Sequence, residues 1–367
     1  MHKTRTKIII GIIAAIVLLA GIAYWQRERF ISLVLRPTDS SVETRTINSD
    51  RVEIVAENLQ TTWSIAFLPD GTRVVTERTG AMRIGDSVVQ IDDVTERGEG
   101  GLLGVAIDPD FETSQYMYVY FTTDRQGGTT NVVERYVLRD GTLTAKTVLV
   151  KNIPGASTHN GGAIEFGPDG KLYVATGDAA NPDLAQDRGS LAGKILRYNP
   201  DGTIPEDNPF EDNPVWSYGH RNPQGVAWSS DGRMWSVEHG PRSNDEVNEI
   251  KPGQNYGWPL ITGTEQRDGL VSPVATSGAD ETWAPSRLVY ADGSLYFTGL
   301  RGQSVYRAEI QGENVELSRF FTGEYGRLRG LAVHEGKLYV GTSNRDGRGQ
   351  PAGNDDRILA VPLQDIQ

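Results

Sequence analysis

The sequence predicts an all-β protein, a six-bladed β-propeller, and this prediction rests on its repeats and its glycines. One hairpin design occurs six times: a short apolar strand, a tight turn and an alternating strand. The copies are AFLPDGTRVVTER, AIDPDFETSQYMYVYF, EFGPDGKLYVATGD, AWSSDGRMWSVEHG, VYADGSLYFTG and VHEGKLYVGTS. Asp-Gly turns tolerate the positive φ that two-residue hairpins need. The 42 glycines fall at such turns and in long loops, which is typical of all-β folds.

The spacing of the six turns fits propeller blades. The turns fall at Asp70, Asp110, Asp169, Asp231, Asp292 and Glu335, at intervals of 40, 59, 62, 61 and 43 residues. A four-stranded blade needs about 40–50 residues, so the longer intervals leave room for loops. A β-sandwich is the alternative, but it does not predict six copies of one hairpin. The segments RVEIVAE (51–57) and RILAV (357–361) can pair to close the ring.

The first 36 residues differ from the rest of the chain. A basic start, MHKTRTK, precedes a run of 18 uncharged residues, 8–25, which is long enough to cross a bilayer. We therefore predict a single transmembrane helix within residues 1–36, a polar linker over 37–50 and the propeller domain over 51–367. A cleaved signal peptide is the alternative. Either reading places the propeller outside the cytoplasm, in the periplasm or at the cell surface.

Charge and cysteine content exclude several classes of function. Residues 1–36 hold six of the 36 Lys and Arg side chains and one of the 48 Asp and Glu side chains. The rest of the chain therefore has 30 basic and 47 acidic side chains, a formal net charge of −17. Such a surface repels nucleic acid. The lack of cysteine excludes disulfides, thiolate zinc sites and thiol nucleophiles.

A histidine and an aspartate flank the third hairpin, in the segment GASTHNGGAIEFGPDGKLYVATGDAAN (155–181). His159 is a candidate general base because imidazole titrates near neutral pH. The outgoing strand of a hairpin returns beside the incoming one, so Asp178 can reach the same rim and orient the imidazole. A turn histidine bonded to the backbone is the alternative.

Three arginines are candidates for binding negative charge. Arg221, in WSYGHRNPQG, lies on a constrained turn, where a guanidinium can stabilise a developing oxyanion. Arg327 and Arg329, in GRLRG, fall on one side of an extended segment and can bind a polycarboxylate. The alternatives are surface salt bridges and an ordinary exposed edge.

One loop is rich in oxygen donors. It contains Asp245, Glu246, Asn248, Glu249 and Asn255. Hard oxygen ligands of this kind suit Ca²⁺ better than zinc. A solvated acidic loop is the alternative, because the spacing is not that of an EF-hand.

Seven motifs spread over roughly residues 50–362 together resemble the soluble quinoprotein aldose (glucose/sorbosone) dehydrogenases, which use pyrroloquinoline quinone (PQQ). In the order of that family, they are GEGGLLGVAIDPDF, STHNGG, GKILRYNPDGTIPEDNPF, WSYGHRNPQG, EHGPRSNDE, NYGWP and RLRG. Members of the family are six-bladed propellers, in agreement with the repeat count. The resemblance implies an enzyme that uses PQQ and Ca²⁺ to oxidise the C1 hydroxyl of aldose sugars to the lactone.

The resemblance also implies roles for individual residues. His159 matches the base that takes the proton of the anomeric hydroxyl while the C1 hydride passes to PQQ, and Asp178 matches its orienting carboxylate. Arg221 matches the residue that stabilises the reduced quinone oxygen. The implied cofactor contacts are Glu99, Asn222, Arg301, Arg327 and Arg329. The implied calcium ligands are the carbonyls of Gly240 and Pro241, with Glu246 and the carbonyl of Tyr256 at a further calcium position found in some members.

Two positions depart from the family pattern. Glu99 stands where many members have glutamine, and a carboxylate there repels an anionic cofactor unless it is protonated or faces a cation. Arg301 is the nearest match to a lysine that the family often has. Two other functions stay open: a propeller that binds a sugar or a partner without redox chemistry, and a Ca²⁺-dependent lactonase. The expected partners are an aldose, an unidentified electron acceptor and, through the N-terminal helix, a membrane.

Overall fold

A computed structural model describes residues 42–125, 128–312 and 314–366. In these ranges the chain is almost entirely β-strand, turn and loop. A one-turn α-helix, Phe111–Ser114, and 3₁₀ helices at Ser49–Arg51, Pro182–Ala185 and Leu363–Ile366 are its helical elements. The strands, in chain order, are β1 Glu43–Thr44, β2 Glu53–Ala56, β3 Thr62–Phe67, β4 Arg73–Glu77, β5 Ala81–Ile84, β6 Ser87–Gln90, β7 Leu102–Ile107, β8 Tyr116–Arg125, β9 Gly128–Arg139, β10 Thr142–Pro154, β11 Ile164–Phe166, β12 Leu172–Thr176, β13 Lys194–Tyr198, β14 Val215–Tyr218, β15 Pro223–Trp228, β16 Met234–Glu238, β17 Glu246–Ile250, β18 Ala275–Thr276, β19 Pro285–Ala291, β20 Ser294–Gly299, β21 Ser304–Gln311, β22 Asn314–Phe320, β23 Leu328–His334, β24 Lys337–Thr342 and β25 Ile358–Pro362.

The strands form six sheets, and each sheet is one blade. The sheet orders are β3-β4-β5-β6, β7-β8-β9-β10, β11-β12-β13-β14, β15-β16-β17-β18, β19-β20-β21-β22-β1 and β23-β24-β25-β2. The first strands of the blades contact one another in a closed cycle, β3 to β7, β11, β15, β19, β23 and back to β3. The prediction of a six-bladed β-propeller is therefore confirmed.

Each of the six repeated hairpins forms the two innermost strands of a blade. At three of the Asp-Gly turns the aspartate side chain accepts a hydrogen bond from the amide two residues later, as Asp70 does from Thr72 at 2.8 Å. The glycine that follows adopts a positive φ, +84° for Gly71, which costs a residue without a side chain little. The second turn differs, because the helix Phe111–Ser114 replaces the tight turn after Asp110.

The last blade combines strands from both terminal regions of the propeller. Strand β2 pairs antiparallel with β25, with Glu53 opposite Ala360, so the predicted ring closure is confirmed. The segment 37–50, interpreted as a linker, contributes β1, which pairs in parallel with β22 at Glu43 and Ser318. This fifth strand lies at the outer edge of the fifth blade.

The hydrophobic core lies between neighbouring blades. Trp63 of β3, Tyr120 of β8 and Val174 of β12 belong to one buried cluster, so three blades share it. Truncating a buried aromatic such as Trp63 to alanine typically costs about 3–5 kcal/mol. Among the described residues no helix is long and apolar enough to cross a membrane. The transmembrane helix predicted within residues 1–36 lies outside the described residues.

The topology brings many loops to one end of the ring. In every blade the first strand runs antiparallel to the second. The start of the first strand and the end of the second therefore lie at the same end, opposite the six hairpin turns. Glu99, His159 and Arg221 precede first strands, and Asp178 and Gly240 follow second strands, which places these five residues at this shared end.

Candidate active site

His159 and Asp178 form a direct side-chain pair. The imidazole Nδ1 lies 2.7 Å from Asp178 Oδ1. The aspartate side chain is fully buried, whereas 19% of the histidine side chain is exposed. A buried carboxylate on Nδ1 favours the tautomer in which Nδ1 is protonated and Nε2 keeps its lone pair. The two ends of the third hairpin therefore meet as the sequence predicts, and the arrangement suits proton abstraction at Nε2.

Hydrogen bonds made by Asn160 hold the loop before β11 in its conformation. Its side chain exchanges hydrogen bonds with the backbone of Ala156, donating at 2.8 Å and accepting at 3.1 Å. The buried Tyr120 hydroxyl donates to the Asn160 carbonyl at 2.8 Å. His159 itself has a φ of +59°, a region that residues other than glycine seldom adopt. Gly177 permits this packing, because a Cβ there would collide with the carbonyl of His159.

Glu99 binds the histidine backbone and a cation. Its Oε2 accepts the amide of His159 at 3.0 Å, and its Oε1 accepts Nη1 of Arg348 at 2.7 Å. Burial acts to raise the pKa of Glu99, but Arg348 and the His159 amide outweigh it and lower the pKa to about 2. The carboxylate of Glu99 is therefore ionised and faces the cation of Arg348. This contact offsets the repulsion that a glutamate in place of glutamine would exert on an anionic cofactor.

Arg221 lies on the turn before β15, close to Asp178. Its amide donates to Glu238 at 2.7 Å, and its Nη1 donates to the His239 carbonyl at 3.3 Å. Its Nε is buried and, within the described chain, has no hydrogen-bond partner. Burial lowers the pKa of Arg221, and the carboxylates of Asp178 and Glu99 oppose that effect. Arg221 thus lies close to the carboxylate of Asp178, forms no ion pair among the described residues and keeps its Nε available for a ligand.

Asn222 and Arg301 also have donor atoms left over. The Asn222 Oδ1 accepts a hydrogen bond from the amide of Gly161 at 2.9 Å. This bond joins the turn before β15 to the loop before β11, which contains His159. Its Nδ2 and the Nε of Arg301 are buried without a hydrogen-bond partner among the described residues. Leaving a buried donor unpaired costs about 1–3 kcal/mol, so both atoms are suited to a ligand that brings acceptors.

The two arginines of the GRLRG motif are both buried but bind different partners. Arg327 forms an ion pair with Asp346, Nη2 to Oδ2 at 2.6 Å, and donates to the Leu300 carbonyl at 3.2 Å. Arg329 donates instead to the neutral Gln224 at 2.9 Å, and its Nε has no partner within the described chain. Burial lowers the pKa of Arg329 to about 9. Arg329 is thus the arginine of the pair that forms no ion pair with a carboxylate within the described ranges.

The residues predicted to bind calcium surround one small cavity of about 10 Å³, roughly the space of one water molecule. Its lining includes Gly240, Pro241, Glu246 and Tyr256. Burial, reinforced by the neighbouring Glu238, raises the pKa of Glu246 to about 8. A cation bound beside Glu238 and Glu246 would lower the pKa of Glu246 again and so favour its ionised form. The residues that line the cavity can offer backbone carbonyls and a carboxylate, the oxygen donors that Ca²⁺ prefers.

The acidic loop does not act as one cluster. In the described part of the chain, no group of three or more His, Cys, Asp or Glu side chains could hold a metal ion. Asp245 is buried and accepts the amides of Gly240, Trp283 and Ala284 at 2.6–2.9 Å. It therefore shapes the Gly240 turn instead of serving as a metal ligand. Asn255 pairs with Gln186 at 2.8 Å.

Sequence reasoning missed the residues that partner the predicted ones. Arg348, Asp346 and Gln224 bind Glu99, Arg327 and Arg329. Trp258 donates its indole N–H to Asp178 at 2.8 Å. The sequence gives one indirect signal: Trp258 and Gln224 lie inside the motifs NYGWP and WSYGHRNPQG.

Several arginine side chains lie at this end of the ring, beside the carboxylates of Glu99, Asp178 and Asp346. Burial lowers the pKa of His239, and the nearby charges of Arg221 and Arg329 act in the same direction, so that the pKa falls to about 3. His239 is therefore neutral, with Nε2 2.7 Å from the Pro285 carbonyl. Free donors on Arg221, Asn222, Arg301 and Arg329 suit a ligand that is anionic and rich in oxygen acceptors.

Comparison with known proteins shows the family of the chain. The family model described as glucose / sorbosone dehydrogenase matches residues 59–351. The chain is 31% identical to the aldose sugar dehydrogenase YliI of Escherichia coli, over 81% of this chain and 91% of that protein. The structure of the PQQ-bound form of aldose sugar dehydrogenase from Streptomyces coelicolor is similar, with a TM-score of 0.80 and 40% identity over 85% of this chain and 97% of that one. The apo form of the soluble aldose sugar dehydrogenase of E. coli gives a TM-score of 0.77 and 29% identity, over 85% and 99% of the two chains. The chain therefore belongs to the glucose/sorbosone dehydrogenase family.

Proposed function

We propose that this protein is a PQQ- and Ca²⁺-dependent aldose dehydrogenase that oxidises the C1 hydroxyl of the sugar to the lactone. The observation that supports this most strongly is the His159–Asp178 pair, 2.7 Å apart, beside Arg221, whose Nε has no hydrogen-bond partner among the described residues. Known relatives include the aldose sugar dehydrogenase of E. coli and the quinoprotein glucose dehydrogenase B of Acinetobacter calcoaceticus, which is 30% identical over 74% of this chain and 65% of that protein.

His159 is the general base in this proposal. Its Nε2 takes the proton of the anomeric hydroxyl as the C1 hydrogen leaves with its electron pair. The imidazolium formed in that step is stabilised by Asp178, whose side chain is shielded from water. Proton transfer of this kind typically contributes about 10²–10⁴-fold to a rate. Arg221 stabilises the negative charge that develops on the acceptor.

The free donors of the site hold the cofactor. Arg329, Arg301, Asn222 and Arg221 would hold the anionic cofactor through donor atoms that have no partner among the described residues. When bound, PQQ supplies the two-electron acceptor for the C1 hydride. Arg327, already paired with Asp346, keeps the shape of the pocket. Glu99 holds the histidine backbone and is itself neutralised by Arg348.

Calcium belongs beside Gly240 in this proposal. The carbonyls of Gly240 and Pro241 would hold the ion, and Glu246 and the Tyr256 carbonyl, whose residues line the same small cavity, would serve a further calcium position. A divalent cation there would offset the buried carboxylates of Glu238 and Glu246 and add a Lewis acid to the site.

We also propose that the propeller acts outside the cytoplasm, because an apolar run of 18 residues lies near the N-terminus. Fractionation of cells that express the full chain, with sequencing of its N-terminus, distinguishes a retained anchor from a cleaved signal. Recovery of the uncleaved chain in the cytosol contradicts this proposal.

A reconstitution experiment tests the function. Purified protein is titrated with PQQ in the presence of Ca²⁺, and reduction of a redox dye is measured with several aldoses. We expect saturable PQQ binding and sugar-dependent dye reduction that requires PQQ. Sugar-independent reduction, or no change in PQQ absorbance on addition of protein, contradicts the proposal. A methyl glycoside is the matched control, because its C1 oxygen carries no proton to remove.

A further inference from the structure

The carboxylate of Asp178 accepts three hydrogen bonds, and one of them comes from a distant loop. Oδ1 receives His159 Nδ1 at 2.7 Å and the amide of Ala180 at 2.8 Å. Oδ2 receives the indole Nε1 of Trp258 at 2.8 Å. Trp258 lies 80 residues further along the chain. Because Oδ2 has this partner, the plane of the carboxylate is fixed and Oδ1 stays directed at the imidazole.

Trp258 is itself held on both sides of its backbone. Its amide donates to the Gly219 carbonyl at 2.9 Å, and its carbonyl accepts Nε2 of Gln186 at 2.6 Å. Gln186 also pairs with Asn255 in both directions, at 3.1 and 2.8 Å. The backbone that carries the indole is therefore fixed in place, and such preorganisation is what a positioning group needs.

The same indole contacts the second charged group of the site. The guanidinium carbon of Arg221 lies 5.4 Å from the centre of the Trp258 ring, within the range of a cation–π interaction. In the described part of the chain, no ion pair joins Arg221 to Asp178. The neutral indole N–H therefore occupies Oδ2 of Asp178. Because of this, Asp178 does not form an ion pair with Arg221 among the described residues.

We infer that Trp258 is a positioning residue for catalysis: its indole N–H orients Asp178, and through Asp178 the imidazole of His159. This inference rests on the proposed function. It makes the pair a chain of three groups, Trp258–Asp178–His159, drawn from two blades. Trp258 does not move a proton in the reaction. Its contribution is to keep Asp178 in the geometry that orients and stabilises the imidazolium.

The variant Trp258→Phe tests the inference, because it keeps an aromatic ring and removes the N–H. A hydrogen bond to a charged group is worth roughly tenfold or more in an equilibrium, so we expect kcat to fall about tenfold. KM and PQQ affinity are expected to stay within about twofold. Trp216→Phe is the matched control, because the Nε1 of Trp216 is buried and has no hydrogen-bond partner among the described residues. It is expected to leave kcat unchanged.

A double-mutant cycle separates positioning from a general structural role. If Trp258 acts through Asp178, the tenfold loss disappears in the background of Asp178→Ala, where single-turnover rates of W258F/D178A and D178A should agree within about twofold. Additive losses in the two backgrounds overturn the inference. So does an unchanged kcat in W258F.

The hydrogen bond also has a readout that does not depend on activity. The indole N–H resonance of Trp258, identified by its loss in W258F, is expected to shift in D178N, whereas the Trp216 resonance stays in place. An unmoved Trp258 resonance overturns the inference. If the wild-type protein binds PQQ but oxidises no sugar, the proposed function fails instead, and the resonance still reports whether the bond forms.

Discussion

Nδ1 of His159 lies 2.7 Å from Oδ1 of Asp178, and the second residue is wholly buried while the first is open to the site. This asymmetry separates two tasks. The buried carboxylate orients and stabilises a positive imidazole, and the exposed nitrogen meets the substrate. The relationship depends on a left-handed histidine backbone, φ +59°, which Glu99 and Gly177 accommodate.

Replacing Asp178 by asparagine is expected to lower kcat by about 10²–10⁴-fold. The amide can present its N–H to the imidazole, which stabilises the wrong tautomer and offers no charge to the imidazolium. PQQ affinity should change little, because Asp178 is buried behind the histidine. Steady-state kinetics and a PQQ titration check both statements. A kcat within threefold of wild type would contradict the role given to Asp178.

The arginines at 327 and 329 are expected to respond differently to removal. Arg329→Met should weaken PQQ binding by about 10–100-fold, because it removes a charged donor that forms no ion pair with any described residue. Arg327→Met should instead destabilise the fold by about 3–5 kcal/mol, because it leaves Asp346 buried without its cation. PQQ titration and urea unfolding separate the two effects. Arg327→Met combined with Asp346→Leu is the control, and it should recover much of the lost stability.

Glu99 is expected to make stability depend on acid pH. Its pKa is lowered from an ordinary 4.5 to about 2, so its contribution is present above about pH 4.5 and is lost as the pH falls toward 2. The difference in melting temperature between wild type and Glu99→Gln should therefore shrink between pH 5 and pH 3. A difference that is constant over this range would show that Glu99 is not held by Arg348 in solution.

Calcium is expected to stabilise the protein before PQQ is added. A ligand at 100 times its dissociation constant adds about 2.7 kcal/mol to the free energy of unfolding. Treatment with a chelator should lower the melting temperature, and Glu246→Gln should reduce the gain on adding Ca²⁺. Glu249→Gln is the matched control, because Glu249 pairs with Lys251 and does not line the cavity. An equal gain in all three proteins would place the ion elsewhere.

The architecture could be predicted because its signals are local. An Asp-Gly turn such as that at Asp70 and the strand alternation around it occupy about a dozen residues, and six copies specify a ring. The pairing of Glu53 and Ile54 with Ala360 and Leu359 follows from the need to close that ring. Strand β1 had no such signal, because two polar residues on an outer edge show no hydrophobic period.

The members of the site could be predicted in part, and their partners could not. His159 and Asp178 are joined by one hairpin, so the sequence indicates that they are close. Arg348 is 249 residues from Glu99, in a loop of another blade, and no local pattern links them. The same holds for Trp258 and Asp178. The sequence also does not show that Arg327 and Arg329 differ in their partners, because Arg327 binds Asp346 in a loop of its own blade and Arg329 binds Gln224 in another blade.

The central claim, a histidine base acting with a bound quinone on the C1 position of a sugar, is tested most directly by single-turnover kinetics. PQQ-loaded wild-type protein and His159→Asn are mixed with an aldose, unlabelled or deuterated at C1, and cofactor absorbance is followed. We expect a fast spectral change in wild type, slowed by deuterium, and a rate at least 10²-fold lower in the variant. Equal rates in the two proteins, or sugar oxidation without PQQ, would contradict the claim.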